Sequence, residues 1–141
     1  MQSIWKWNAL LLLSLGTPAL AQTSLVTNGS FEEPALASGS WSTFGTIPGW
    51  RTISGSSIEV QAFAGPLDGR QFIELDSYAS SRMRQTLATQ VGREYELSVG
   101  FSPRPGVRDN RIGVFWNGQQ LAVLDDDGSS RTQNAWRRFT F

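Results

Sequence analysis

The side chains available for chemistry in this chain are carboxylates, hydroxyls, arginines and aromatic rings, because the sequence contains neither His nor Cys. This composition excludes Ser-His-Asp and Cys-His nucleophile systems, and it excludes zinc sites built on His or Cys. Calcium binding through oxygen ligands and glycoside hydrolysis by two carboxylates remain possible.

Glu59 and Glu74 are the carboxylate pair whose placement could support such chemistry. Ile58-Glu59-Val60-Gln61 and Ile73-Glu74-Leu75-Asp76 both alternate apolar and polar residues, so the two glutamates can share one face of a sheet. Glycosidases use two carboxylates roughly 5–10 Å apart. Acidic residues are common on the solvated face of a sandwich, however, and small modules seldom provide a deep cleft. We therefore expect Glu59 and Glu74 to have polar roles in sugar binding, and we expect no enzyme.

Aromatic residues could supply flat surfaces on which sugar rings pack, by the same stacking logic that applies to aromatic pairs. Trp41, Phe44 and Tyr78 lie in polar, loop-like sequence, and we expect them to be exposed. Trp50 and Trp116 are expected in the core or at its rim, the commoner fate of large aromatics.

Arginines could bind acidic sugars such as uronates through bidentate contacts. The candidates are Arg82, Arg84, Arg104 and Arg108. The more ordinary interpretation, which we favour for each, is a solvated arginine that balances nearby acids. Arg104 is retained as a candidate ligand-binding residue.

Short β-rich runs separated by Gly, Pro, Ser and Asn clusters indicate the elements that must position these residues. Asn117-Gly118 is a strong hairpin signal, because both turn residues must accept positive φ. The runs predict one antiparallel β-sandwich, with strands at 58–61, 73–76, 83–87, 95–101, 112–116, 121–124 and 136–141.

The N-terminus has the layout of a cleavable Sec-type signal peptide over residues 1–21. Lys6 precedes an apolar run from Ala9 to Leu15, and Ala19-Leu20-Ala21 forms an A-x-A cleavage site. The run is too short to span a membrane, which takes about 20 apolar residues. We expect a periplasmic or extracellular domain over residues 22–141, with no transmembrane segment.

The charge of this predicted mature domain argues against nucleic acid as a partner. Eleven arginines face 12 acidic residues, which leaves a formal charge of −1. A nucleic-acid-binding domain would carry a basic excess.

The strand-like run 136–141 continues to the last residue, without a turn or a polar tail. A sandwich that lacks its last strand exposes unpaired backbone groups along an edge. We therefore expect either that the sequence stops short of one or more closing strands or that a partner chain supplies a strand, and we favour the first.

An ordered set of motifs adds a family resemblance. "NGSFEEP", "IPGW", "IEVQ", "DGRQFIELDS", "RQTLAT", "YELSVGFSPRPG" and "VFWNG" occur in this order between about Leu25 and Trp136. The set resembles the domain-of-unknown-function 642 family, secreted proteins associated in plants with cell-wall polysaccharides. The resemblance implies a galactose-binding-like jelly roll that binds glycans, although such domains normally continue into a closing strand with an Asp-rich segment.

The same resemblance implies a structural calcium ion near the N-terminal motif, with Asn28 and Glu32 as candidate ligands. Glu32 offers the hard oxygen that calcium prefers, and the glycine-containing turn before it can present backbone carbonyls. The alternative is that Glu32 caps the turn or pairs with an arginine.

We expect a secreted, non-catalytic module that binds envelope or extracellular polysaccharide. One alternative is a structural or adhesive surface protein that acts through protein contacts. Another is a glycosidase that uses Glu59 and Glu74.

Overall fold

The computed structural model describes residues 23–141, so the predicted signal peptide lies outside the described part of the chain. Ten strands and no helix are present in this part. The strands are β1 (Trp41–Phe44), β2 (Thr46–Ile47), β3 (Trp50–Ser54), β4 (Ile58–Gln61), β5 (Phe72–Glu74), β6 (Arg82–Arg84), β7 (Ser98–Phe101), β8 (Asn110–Trp116), β9 (Gln119–Asp126) and β10 (Arg137–Thr140).

The strands form four small sheets, and every strand pairing in them is antiparallel. The sheet orders are β1-β4-β5, β2-β3-β6, β7-β10 and β8-β9. The predicted all-β antiparallel sandwich is thereby confirmed. In residues 23–141, no helix is long and apolar enough to cross a membrane.

The first part of the core lies between the β1-β4-β5 and β2-β3-β6 sheets. Its centre is Ile47, Ile58 and Val60, and Ile58 and Val60 are fully buried. The alternation along β4 places both of these β-branched side chains on the same face. Partly buried residues complete this cluster: Phe31, Leu36, Phe44, Trp50, Ile73, Leu75 and Met83.

The second part of the core joins the β7-β10 and β8-β9 sheets. Phe101, Val114 and Leu124 form its buried centre. Val114 and Leu124 lie on the inner face of the β8-β9 hairpin, whose turn is Asn117-Gly118 with φ angles of 49° and 82°. Gly118 accepts its φ without a steric penalty, and the predicted hairpin is confirmed.

The prediction that Trp41 and Phe44 lie in a loop is wrong. Both belong to β1, which pairs with β4 along its whole length. Phe44 lies opposite Ile58 and packs against the first core cluster, so it is not the exposed platform that the sequence suggested. Pairing with the buried central strand outweighs the weak local signal of a Ser- and Gly-rich stretch.

Ile58→Ala is expected to lower the free energy of unfolding by about 2–5 kcal/mol, because it leaves a cavity in a fully buried site. Urea unfolding followed by tryptophan fluorescence measures this change. Ile53→Ala is the matched control, because Ile53 is 44% exposed and should change stability by no more than about 0.5 kcal/mol. Equal losses in the two variants would contradict the assignment of Ile58 to the core.

Candidate functional site

One face of the β1-β4-β5 sheet collects the polar candidates, and we call it the polar face. The register pairs Thr43 with Glu59 and Glu59 with Glu74, so these three side chains form one row across the sheet. Trp41, Gln61 and Phe72 form the adjacent row. The polar face therefore comprises Trp41, Thr43, Glu59, Gln61, Phe72 and Glu74.

The side-chain amide of Gln61 connects the two glutamates. Its Nε2 donates to Glu59 Oε1 and to Glu74 Oε2, each at 2.6 Å. Glu59 and Gln61 are each only 8% exposed, so this network is largely shielded from water. The prediction that Glu59 and Glu74 share a face is confirmed, but the face is not the solvated surface that sequence reasoning assumed.

Glu74 has an unusual protonation equilibrium for a carboxyl group. Burial and a hydrogen bond with Asp76 raise its pKa to about 7, and the opposing effect of Arg104 does not cancel this increase. The nearby charges of Asp76 and Glu59 add to the rise. Near neutral pH, Glu74 is thus present in both protonated and ionised forms.

Arg104 reaches Glu74 from the loop after β7. Its Nη1 donates to Glu74 Oε1 at 2.5 Å, while most of the arginine side chain remains exposed. The loop backbone is fixed on both sides of the Arg104 side chain. Arg104 N donates to Asn110 Oδ1 at 2.8 Å, and Arg104 O accepts from Val107 N at 3.2 Å. The preceding Pro103 is fully buried. A rigid loop thus places an exposed guanidinium at the rim of the polar face.

Aromatic rings flank the Gln61 amide. Trp41 is 50% exposed at the β1 edge, and Phe72 lies on the other side of Gln61 in the same row. Phe72 contacts Trp136 edge to face with ring centroids 5.7 Å apart. Trp136 Nε1 donates to Gly65 O at 2.7 Å, which orients the indole. The polar face thus combines a polar centre with rings at its sides.

Of the six residues predicted to bind a ligand, four come together at the polar face: Trp41, Glu59, Glu74 and Arg104. Phe44 is on the opposite side of the sheet. Tyr78 is 71% exposed in the segment between β5 and β6, and it makes none of the hydrogen bonds that join the polar face.

Sequence reasoning missed Gln61 as a site residue. The alternation in "IEVQ" that places Glu59 on one face also places Gln61 there, so the signal was present in the sequence. The roles of Phe72 and Trp136 have no such local signal, since their ring contact joins residues 64 positions apart.

Asn28 organises the N-terminal turn through hydrogen bonds. It has a φ of 50°, its Oδ1 accepts from Glu33 N at 3.1 Å, and its Nδ2 donates to Glu33 O at 2.7 Å. The backbone oxygen of Asn28 accepts from Trp50 Nε1 at 3.2 Å. Asn28 therefore stabilises the N-terminal turn and joins it to Trp50, which packs on the core.

Glu32 joins the same segment to the loop before β5. Its Oε1 accepts from Arg70 N at 2.8 Å and from Gln71 N at 2.9 Å, and its Oε2 lies 4.0 Å from Arg70 Nε. Gln71 strengthens this junction, because its Nε2 donates to Phe31 O at 2.6 Å.

The predicted calcium site can be compared with this geometry. Calcium takes six to eight oxygen ligands, but Asn28 Oδ1 and Glu32 Oε1 already accept backbone N–H groups. Among residues 23–141, no group of three or more Asp, Glu, His or Cys side chains could hold a metal ion. Calcium binding by Asn28 and Glu32 stays a prediction from the resemblance.

A calcium titration tests that prediction directly. If Asn28 and Glu32 bind calcium, millimolar calcium raises the melting temperature of the wild-type domain above its value in chelator, by the linkage of binding to folding. The rise should vanish in Glu32→Gln. Identical melting temperatures of the wild type in calcium and in chelator would contradict the prediction.

The close approach of Glu59 and Glu74 permits one catalytic interpretation. Retaining glycosidases hold two carboxyl groups about 5–5.5 Å apart, with one of them protonated near neutral pH. Here both carboxylates accept from the same Gln61 nitrogen, so each already has a hydrogen-bond partner within the protein.

Two surface depressions are lined by residues outside the polar face. One is lined by residues 108–111 and 125–127, where two arginines, four aspartates and Asn110 come together. The other lies beside β3 and β6, and it is lined by Ile47, Gly49, Trp50, Arg51, Arg84, Gln85 and Thr86.

The chain is 30% identical over 130 residues to halomucin from Haloquadratum walsbyi, and the alignment covers 86% of the chain. The chain spans about 1% of the length of halomucin, so the similarity concerns one short stretch of a very long protein. No protein-family model and no solved structure matches the chain. Membership of the family suggested by the motifs therefore remains a prediction.

The raised pKa of Glu74 predicts a pH-dependent stability. In the folded state its pKa is about 7, against an ordinary value of 4.5. The folded state thus binds more protons than the unfolded state between these values, so the contribution of Glu74 to stability falls as the pH rises through this window.

Glu74→Gln removes this titration. Between about pH 5 and about pH 8, the wild type should lose stability relative to Glu74→Gln, as measured by urea midpoints at each pH. Glu96→Gln, at an exposed position, controls for the loss of one carboxylate. A stability difference between wild type and Glu74→Gln that does not vary with pH would contradict the assignment.

Proposed function

We propose that this chain is a secreted, non-catalytic carbohydrate-binding module of galactose-binding-like jelly-roll type, and that the polar face binds the sugar. The observation that carries the proposal is the half-exposed Trp41 ring beside the Gln61–Glu74–Arg104 network. Apolar C–H faces of a pyranose can pack on such a ring, while the exposed guanidinium of Arg104 donates to the hydroxyls.

Preorganisation supports this role. The Gln61 amide holds Glu74 through a short hydrogen bond, and Glu74 in turn holds Arg104 through their ion pair. A ligand therefore meets an arginine whose orientation is already fixed, which lowers the entropic cost of binding. The remaining N–H groups of Arg104 are accessible at the rim, because that arginine side chain is mostly exposed.

The similarity to a short stretch of halomucin also supports a modular role. A segment that aligns with about 1% of a very long protein fits a small unit that can serve as one part of a larger chain. We also propose that the chain is exported, because its N-terminus has the layout of a signal peptide.

Trp41→Ala is expected to weaken polysaccharide binding by at least about tenfold, because the stacking surface is lost. Affinity electrophoresis against a panel of neutral and acidic polysaccharides measures the effect. Tyr78→Ala is the matched control, since Tyr78 is an exposed ring that lies outside the polar face. The absence of binding to any polysaccharide, or equal losses in the two variants, would overturn the proposal.

A second candidate function is adhesion through protein contacts. Phe115, Leu121 and Val123 are exposed apolar side chains on the β8-β9 hairpin, and exposed apolar patches can mark interaction surfaces. Sedimentation distinguishes the two candidates. Self-association that Val123→Asp abolishes would favour adhesion, whereas a monomer that binds sugar favours the first candidate.

A further inference from the structure

Three arginines lie on the solvent face of the β3-β6 pair, and we call this set the arginine face. Arg51 lies directly opposite Arg84 in the antiparallel register, and Arg82 lies opposite Ser54 after a bulge. Along β6 the inner position is taken by Met83, which packs on the core. The alternation therefore directs Arg82 and Arg84 outward, and all three arginines are exposed.

In residues 23–141, the arginine face carries charge without a carboxylate partner. Like charges directly opposite each other across an antiparallel pair are destabilising. No carboxylate oxygen of these residues lies within 4.0 Å of a nitrogen of Arg51, Arg82 or Arg84, whereas three of the other eight arginines have such partners. The whole chain has as many acidic as basic residues, so a general basic excess does not explain the cluster.

The backbone beneath these arginines is firmly held. The side-chain amide of Gln85, which follows β6, accepts from Thr27 N at 2.7 Å and donates to Thr27 O at 2.9 Å. Gly49, with a φ of 80°, lies so close that an added Cβ would be 2.7 Å from Gln85 Nε2. This close packing fixes the end of β6 against the N-terminal segment.

The arginine face also has a concave surface and an apolar neighbour. Arg51, Arg84 and Thr86 line one of the two depressions. The guanidinium of Arg82 lies 4.8 Å from the centre of the Phe115 ring, a cation–π contact that holds it in place. The face thus presents Arg51 and Arg84 at a depression, with Arg82 held against an exposed ring nearby.

We propose that the arginine face is a second binding site, which takes the carboxylate groups of an acidic polysaccharide. Guanidinium groups bind carboxylates in a bidentate manner, and their mutual repulsion is relieved when an anion lies between them. That the ligand is a polysaccharide rests on the proposed function. That the ligand is an anion rests on the arginines that have no carboxylate partner in the described residues. The near-zero net charge of the chain argues against nucleic acid as the ligand.

The test uses polygalacturonate and its methyl-esterified form, which keeps the sugar but removes the charge. Arg51→Gln combined with Arg84→Gln should weaken binding to polygalacturonate by at least about tenfold at low salt. Wild-type binding to polygalacturonate should fall as salt is added, because screening weakens contacts between exposed charges. Arg93→Gln combined with Arg138→Gln removes two exposed arginines elsewhere and should leave binding nearly unchanged.

The outcomes separate this inference from the proposed function. Loss of polygalacturonate binding in the Arg51/Arg84 variant, with binding of other glycans retained, supports the arginine face. Equal losses in the two double variants, or no wild-type binding to polygalacturonate, overturn it. If Trp41→Ala abolishes glycan binding while the Arg51/Arg84 variant binds polygalacturonate normally, the proposed function stands and this inference fails. The assignment to a polysaccharide would also be overturned if the wild type bound duplex DNA as tightly as polygalacturonate and the Arg51/Arg84 variant lost this DNA binding.

Discussion

The hydrogen bonds from the Gln61 amide to Glu59 and Glu74 are the interaction on which the polar face depends. The two glutamates lie directly opposite each other on adjacent strands, a position in which like charges repel. A single amide nitrogen bonds both carboxylates, and partial protonation of Glu74 near neutral pH reduces the repulsion further. These two effects reduce the repulsion between Glu59 on β4 and its neighbour Glu74 on β5.

The same hydrogen bonds allow β4 to be buried on both faces, and all four of its residues are buried. Ile58 and Val60 supply the apolar core on one face, while Glu59 and Gln61 are enclosed on the other. A buried polar group is costly unless it has a hydrogen-bond partner, so the polar side of β4 requires a connected network. The strand therefore stabilises the sandwich from one face and organises a candidate binding surface with the other.

The two candidate surfaces differ in whether their charged side chains have partners. On the polar face, Arg104 meets Glu74 and the amide satisfies the carboxylates. On the arginine face, Arg51 and Arg84 face each other without a carboxylate nearby in the described residues. On the first surface the charged groups are paired with one another, whereas on the second the guanidinium groups have no carboxylate partner in the described residues.

The sequence by itself determined the elements whose signal is local. Alternation predicted β4 and β5 and placed Glu59 and Glu74 on one face, and Asn117-Gly118 predicted the hairpin between β8 and β9. These features depend on side-chain period and on turn geometry, which a short stretch of sequence specifies.

Only the tertiary structure decided which distant residues meet. Trp41 and Phe44 became strand residues because their segment pairs with β4, and Arg104 reaches Glu74 across 30 positions of sequence. The pKa of Glu74 depends on burial, and the Arg51–Arg84 pairing depends on the register of two strands far apart in the chain. Such contacts are set by strand pairing and enclosure, which the period of a single segment does not encode.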